Sequence, residues 1–93
     1  MAGNRTDRDY EIDAVSKALR VFEALEGTSF EPIPIKRVIE RCQLPKDFVM
    51  RTLRTYRLNG WAIQNDRDEW SIGGQFMRLA ETARNARIHA RGL

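Results

Sequence analysis

Ninety-three residues, 42% apolar and 31% charged, make one small soluble domain, whose thin core buries about 60–65% of the unfolded surface and leaves no room for a deep substrate cavity. No apolar run approaches the roughly 20 residues that span a bilayer, and the polar start lacks a signal-peptide core. The formal charge of +3 gathers in two blocks: Lys46, Arg51, Arg54 and Arg57 against Asp47 alone, then Arg78, Arg84, Arg87 and Arg91 against Glu81. That is a basic face rather than a uniformly basic chain. A lone Cys42 excludes an internal disulfide and fits a reducing compartment, and a lone Cys with a lone His89 leaves no protein-built zinc site. These limits point to a cytosolic binding domain that needs no cofactor and is not an enzyme.

The first eleven residues mix acids and bases without periodicity and read as a flexible arm. Ile12, Val15, Ala18, Leu19, Phe22 and Leu25 recur at steps of three and four, one stripe of a helix over 12–26. Asp13 stands at its positive end, and Gly27 follows the last apolar position as a cap would. Residues 27–32 have turn chemistry, and Ile33-Pro34-Ile35 is at most a brief edge strand, because Pro34 cannot donate to a sheet ladder. Lys36 to Arg41 forms a short helix with Val38, Ile39 and Cys42 inward, which Gln43-Leu44-Pro45 breaks.

The next helix, over 45–58, turns Val49, Leu53 and Tyr56 inward with Thr52 beside them. Its other side carries Lys46, Asp47, Met50, Arg51, Arg54 and Thr55, and Asn59-Gly60 stops it with residues that tolerate positive φ. Residues 61–65 and 69–72 are strand-like around an Asp66-Arg67-Asp68 turn, and Gly73-Gly74 ends the second strand. A last helix starts near Gln75, with Phe76, Leu79, Ala80, Ala83 and Ala86 on one side.

A short helix, a turn of three or four residues and a second helix that is basic outside make a helix-turn-helix. A hairpin directly after it makes the unit winged. The predicted fold is therefore mainly α with a small β-hairpin: a winged helix-turn-helix with a three-helix core over 12–74, then a C-terminal helix with a basic tail over 75–93. The dimensions suit nucleic acid, since the major groove of B-DNA is about 12 Å wide and admits one helix, which the preceding helix braces.

Residues Val15 to Leu25, reading Val-Ser-Lys-Ala-Leu-Arg-Val-Phe-Glu-Ala-Leu, resemble the opening helix of the IclR-type DNA-binding domain, which often reads Ser-Val-x-Arg-Ala-Leu-x-Ile-Leu. Leu44-Pro45-Lys46 followed by Val49, Arg51 and Leu53 is similar to that family's recognition segment, Leu-Pro-Lys-Ser-Thr-Val-x-Arg-Leu-Leu. Leu58-x-Gly60-Trp61 and Trp70-Ser71-Ile72-Gly73 match its wing markers, Leu-x-Gly-Tyr and Tyr-x-Leu-Gly. The resemblance covers residues 14–80. It implies a transcription regulator, usually dimeric, whose third helix enters the major groove of double-stranded DNA. It also implies a cytoplasmic protein of a bacterium or phage, associated with the nucleoid.

Three departures stand out: Gln43 for the family's turn glycine, Asp47-Phe48 for its Ser-Thr pair, and Met50 at a usually polar position. The sequence ends at Leu93, without the effector-binding domain that follows in the family. The expectation is a stand-alone domain, such as a small regulator, a mobile-element protein or a partner-binding derivative.

Candidate DNA contacts are Lys36, Arg37, Lys46, Asp47, Phe48, Met50, Arg51, Arg54, Thr55 and Arg67. Arg51 and Arg54 suit guanine O6 and N7 or phosphate, against the plain alternative of a solvated helix face. Lys46 suits phosphate, and Thr55 is a phosphate donor or a surface threonine. Asp47 partners the helix dipole or accepts from cytosine N4. Phe48 and Met50 pack on thymine methyls, fill space against the preceding helix, or form a protein-binding patch. Arg67 stands at the wing tip between Asp66 and Asp68, which weaken its pull on phosphate. Trp61 and Trp70 read as sheet packing rather than base-stacking platforms, and Cys42 as a small buried hydrophobe.

The first helix and the alanine side of the last (Ala80, Ala83, Ala86, Ala90) are the expected homodimer surfaces. The alternative function is a protein-interaction adaptor, with a protein partner, on a winged-helix scaffold that has lost DNA binding. Asp47, Phe48, Met50 and the acidic wing favour it. No nucleophile–base pair, phosphate loop or metal cluster in the sequence supports an enzyme.

Overall fold

The computed structural model describes residues 7–26 and 31–90, with side chains as far as Ala86. Residues 1–6 of the expected arm, the Gly27 cap, loop residues 28–30, and the tail side chains of Arg87, His89, Ala90 and Arg91 lie outside the described residues. A single 3-10 turn, Asp7–Tyr10, leads into helix α1, Asp13–Ala24. Ile12 enters it in an extended conformation, and Leu25 and Glu26 close it with bonds to Phe22 O and Glu23 O, each of 3.0 Å. These tighter i→i+3 bonds satisfy carbonyls that the helix end leaves without partners.

Strand β1, Ile33–Pro34, passes directly into α2, Ile35–Cys42. Residues 43–45 connect α2 to α3, Lys46–Leu58. Strands β2, Ala62–Gln64, and β3, Glu69–Ile72, form the wing, and α4, Gly74–Ala90, ends the described chain. The sheet is antiparallel in the order β1-β3-β2, pairing Ile33 with Trp70 and Ala62 with Ile72. Pro34 thus falls on an edge strand, where its missing N–H weakens the ladder least. Three helices backed by this sheet are a winged helix-turn-helix.

The core is made by Val21 of α1 and Leu25 that caps it, Val38 of α2, Val49 and Leu53 of α3, and Trp70 of β3, each no more than 1% exposed. Burying side chains of this size contributes about 1.5–3 kcal/mol apiece. Trp70 occupies the central strand and faces the helices, so it is packing, as its place in the wing predicts. Cys42 is likewise a buried apolar group at 4% exposure.

The stripe predicted on α1 is split. Ala18 and Phe22 are half-buried and Leu25 is buried, but Ile12, Val15 and Leu19 are exposed. Leu25 is joined in the core by Val21 and Ala24, which lie outside that stripe. Among the described residues, the body wraps the C-terminal half of α1 and leaves the N-terminal part of the stripe exposed.

Two arginines tie α1 to α2 by reciprocal bonds. Arg20 donates to Cys42 O at 2.6 Å, and Arg41 donates to Ala24 O at 3.1 Å and Glu26 O at 2.8 Å. Each guanidinium sits at the negative end of the other helix and satisfies its terminal carbonyls.

At the end of α2, Gln43 adopts the left-handed conformation, φ 57° and ψ 44°. This is a conformation that glycine adopts without strain. Gln43 Nε2 donates to Glu40 O at 2.7 Å and so adds a local bond to a backbone that a side chain resists. At the end of α3 only Gly60 has a positive φ, +81°, whereas Asn59 stays at −101°.

Candidate nucleic-acid interface

Helix α3 has two sides. Val49, Thr52 and Leu53 are buried and Tyr56 is half-buried, which fixes the inward side. Lys46, Asp47, Arg51, Arg54 and Thr55 are exposed on the other, and α2 braces the helix from behind. Lys46 and Arg54 have no ion-pair partner among the described residues, while Arg51 Nη1 lies 3.9 Å from Asp47 Oδ2 one turn earlier. That pair is wide and its side chains are 77% and 87% exposed, so water screens it and a phosphate or base can displace it at little cost.

Arg57 belongs to a different task. Its guanidinium lies over the Trp70 ring, 5.6 Å from the centroid, and donates to Gln64 Oε1. One of the four cations of the middle basic block is therefore spent on fastening α3 to the wing, and the cationic side of α3 reduces to Lys46, Arg51 and Arg54.

Lys36 and Arg37 are exposed in the first turn of α2, with Arg37 Nε 3.6 Å from Glu40 Oε1. At the wing tip Asn65 Oδ1 accepts from the Arg67 and Glu69 amides, both at 2.9 Å, and Asp68 Oδ1 accepts from Gln64 Nε2 at 3.2 Å. This holds the tight turn, with Asp68 at φ 61°, and leaves the Arg67 side chain exposed.

Three of the predicted contacts sit differently from the expected outward array. Phe48 and Met50 are half-buried and pack against the core, because the helix is embedded deeply enough for their positions to touch it. Thr55 donates its hydroxyl proton to Arg51 O at 2.8 Å, so the hydroxyl is committed within the helix rather than held out for a phosphate.

The opposite side of the body carries a trough of about 550 Å³ between α1 and α4. Leu19 forms one wall, and Leu79, Ala80 and Ala83 the other. The floor is aromatic: Phe22 stands edge-on to Tyr56 and Trp61, with centroids 5.6 and 6.0 Å away, and lies 5.2 Å from Phe76. Burial pushes the Tyr56 phenol up to about 12, and its hydroxyl donates to Ala18 O.

Beyond Phe76 helix α4 leaves the body, and every residue from Met77 to Ala86 is exposed. The Cα radius of gyration is accordingly 16.0 Å, where a compact chain of this length has about 12 Å. The residues that single-sequence reasoning missed are Arg20, Arg41 and Arg57, whose roles depend on carbonyls and rings brought near by the fold, and the trough, which three separate elements build.

Among the described residues no cluster of His, Cys, Asp or Glu could hold a metal, and no helix is long and apolar enough to cross a membrane.

No protein-family model matches the sequence, and no curated protein does. Solved structures do match. An IclR transcriptional regulator from Alicyclobacillus acidocaldarius superposes with a TM-score of 0.70 at 23% identity, over 80% of this chain and 30% of that one. An IclR family transcriptional regulator from Brucella abortus gives 0.71 at 18%, over 88% and 32%, and Pseudomonas aeruginosa HmgR gives 0.68 at 22%, over 77% and 30%. The likeness is one of fold, and the chain spans about 30% of the length of these structures.

Proposed function

We propose that this chain is a sequence-specific double-stranded DNA-binding regulator of transcription that inserts α3 into the major groove. The observation that carries the reading is the division of α3: its buried seam anchors it on the body, while Lys46, Arg51 and Arg54 stand exposed along the opposite side. Arg51 and Arg54 are the base and phosphate readers, with Asp47 between the dipole and a cytosine amino group. Lys36, Arg37 and Lys46 meet phosphates flanking the groove, and Arg67 meets the backbone beside the wing. The similar solved structures named as transcriptional regulators support the same use of the fold. On this reading the protein acts in the cytoplasm, on nucleoid DNA.

The regulator works as a homodimer joined through α1 and α4. Support comes from the uncovered apolar side chains of Ile12, Val15, Leu19 and Leu79, since exposed apolar surface of this extent beside a trough marks an association site. A long helix gains most of its stability from packing one face, and α4 has none of its own past Phe76. Two-fold pairing makes the preferred operator a palindrome with half-sites a whole number of turns apart.

The adaptor reading rests on Asp47, Phe48, Met50 and the acidic wing; Phe48 and Met50 are half-buried against the core, while Asp47, Asp66 and Asp68 are exposed. The discriminating experiment is binding to duplexes enriched from a random pool. If about four phosphates are met per protomer, log affinity falls with log salt at a slope of about −3 to −4. Arg51→Ala should cost about 1–3 kcal/mol on the enriched site. Unchanged affinity of the Arg51→Ala, Arg54→Ala double variant for that site overturns the assignment, and a stoichiometric protein partner with no salt-sensitive DNA binding gives the case to the adaptor.

A further inference from the structure

The outer side of α3 is indented. Beside Arg51 lies a notch of about 180 Å³ lined by Phe48, Arg51, Thr52 and Thr55. Phe48 packs part of its ring on the core and is half-buried, so the remainder of the ring is available to the notch. Thr52, 9% exposed, belongs to the buried side of α3 and closes the inner edge of the notch, and the Thr55 hydroxyl donates to Arg51 O. The lining therefore combines an aromatic ring and two threonines with one guanidinium, about half of it apolar. A neighbouring acid, Asp47, stands 3.9 Å from Arg51 Nη1.

Among bases in the major groove, a 5-methylpyrimidine is the one that presents an apolar group, and guanine presents the O6 and N7 pair that an arginine grips. A methyl group and a guanine on adjacent base pairs are matched by a notch with an aromatic wall and a guanidinium on the same helix turn. A larger apolar occupant, such as a partner protein's side chain, would leave Arg51 at the rim without an anionic or acceptor group. Lys46 and Arg54, exposed on either side, favour a polyanion there instead.

Resting on the DNA-binding reading, we infer that the Phe48–Thr52–Thr55 notch receives the 5-methyl group of a pyrimidine while Arg51 takes the guanine beside it, and that Phe48 and Thr55 thereby determine specificity. This also gives a use to Phe48, which departs from the family's recognition segment.

The test uses the full chain and the duplex it enriches from a random pool. Each thymine in that duplex is replaced singly by deoxyuridine, and at the responsive position cytosine is compared with 5-methylcytosine. Burial of one methyl predicts a loss of about fourfold for deoxyuridine at one thymine beside a guanine, and the same gain for 5-methylcytosine over cytosine. The ratio should fall below about twofold in Phe48→Ala. Because Phe48 also packs on the core, Thr55→Ser serves as the second variant: it removes an exposed methyl, keeps the bond to Arg51 O, and should lower the ratio in part.

Tolerance of deoxyuridine at every thymine, or a methyl effect undiminished in both variants, overturns the notch and leaves the DNA-binding reading standing. Failure to enrich any duplex, together with no salt-sensitive binding, overturns both.

Discussion

The outer side of α3 and the trough between α1 and α4 are both open to solvent, but with opposite chemistry. On α3 the exposed groups are mainly charged and readily hydrated, Lys46, Asp47, Arg51 and Arg54, with Thr55 beside them and Leu58 as an exposed apolar side chain at its end. Around the trough they include Val15, Leu19, Met77 and Leu79, at 42–61% exposure. Water solvates the first set at no cost, so their exposure alone fits a plain solvated helix. It cannot solvate the second set favourably, and a thin small domain has little stability to spare for such a surface. The apolar side therefore bears on the proposed dimer, whereas the charged side bears on the proposed DNA contact. A cationic ridge calls for an anionic polymer, and an apolar trough flanked by a bare helix calls for another such helix.

The largest expected effect breaks this comparison at the trough. Leu19→Asp with Leu79→Asp should raise the dissociation constant of the dimer by about 100-fold or more, since two charges would have to be desolvated in each protomer's interface. Sedimentation over a concentration series reads that change. Because both leucines are exposed in the single chain, its unfolding free energy should move by no more than about 0.5 kcal/mol. Cooperative binding to a palindrome is then lost, while binding to one half-site survives. A wild-type chain that sediments as a monomer throughout, or a double variant that still dimerises, removes the trough from the account.

Much of this architecture was legible in the sequence because it depends on local chemistry. The seam Val49, Leu53, Tyr56 followed from helical spacing, the wing from two β-rich runs around an Asp-rich turn, and the edge position of β1 from Pro34. What stayed hidden depends on distance in space. Nothing in the spacing of Ile12, Val15 and Leu19 reveals that the body stops short of them, and the same pattern would describe a fully packed helix. Met50 was assigned outward by angle alone, but a helix sunk among neighbours packs its flanks as well as its inner seam. Arg57 belongs to the basic block by sequence, but its ring and amide partners, Trp70 and Gln64, are 13 and 7 residues away in the chain, so only the fold shows its role.

Tyr56 sharpens the comparison, since it starts on the helix that carries the charged face and ends in the floor of the apolar one. Its hydroxyl donates to Ala18 O and ties α3 to α1. The unfolded phenol titrates near 10, and burial raises the folded one to about 12. A folded value above the unfolded one means that this stabilisation is complete below about pH 10 and is lost as the pH climbs through 12. Tyr56→Phe should cost about 1 kcal/mol at neutral pH, the net worth of one hydrogen bond, and should remove this group's share of the alkaline loss. Urea midpoints from pH 7 to about 11.5 measure both. An equally steep alkaline decline in Tyr56→Phe would show that the phenol is not the group responsible.

The smallest effect concerns the turn that sets α3 against α2. Gln43 is held at φ 57°, where an L-residue costs about 1–2 kcal/mol over its right-handed form and glycine costs nothing. Gln43→Gly relieves that cost. Against it stand the greater freedom of glycine in the unfolded chain and the loss of the exposed Gln43–Glu40 bond of 2.7 Å. The balance should be a gain of about 0–1 kcal/mol, read as a higher urea midpoint with an unchanged slope. DNA affinity should not move, because the backbone path into α3 is the one glycine would also take. Gln43→Val should instead lose about 1–2 kcal/mol, since a branched Cβ is least tolerant of this conformation. If Gln43→Gly is destabilising by more than about 0.5 kcal/mol, the amide bond to Glu40 outweighs the backbone angle, and the turn is held by its side chain.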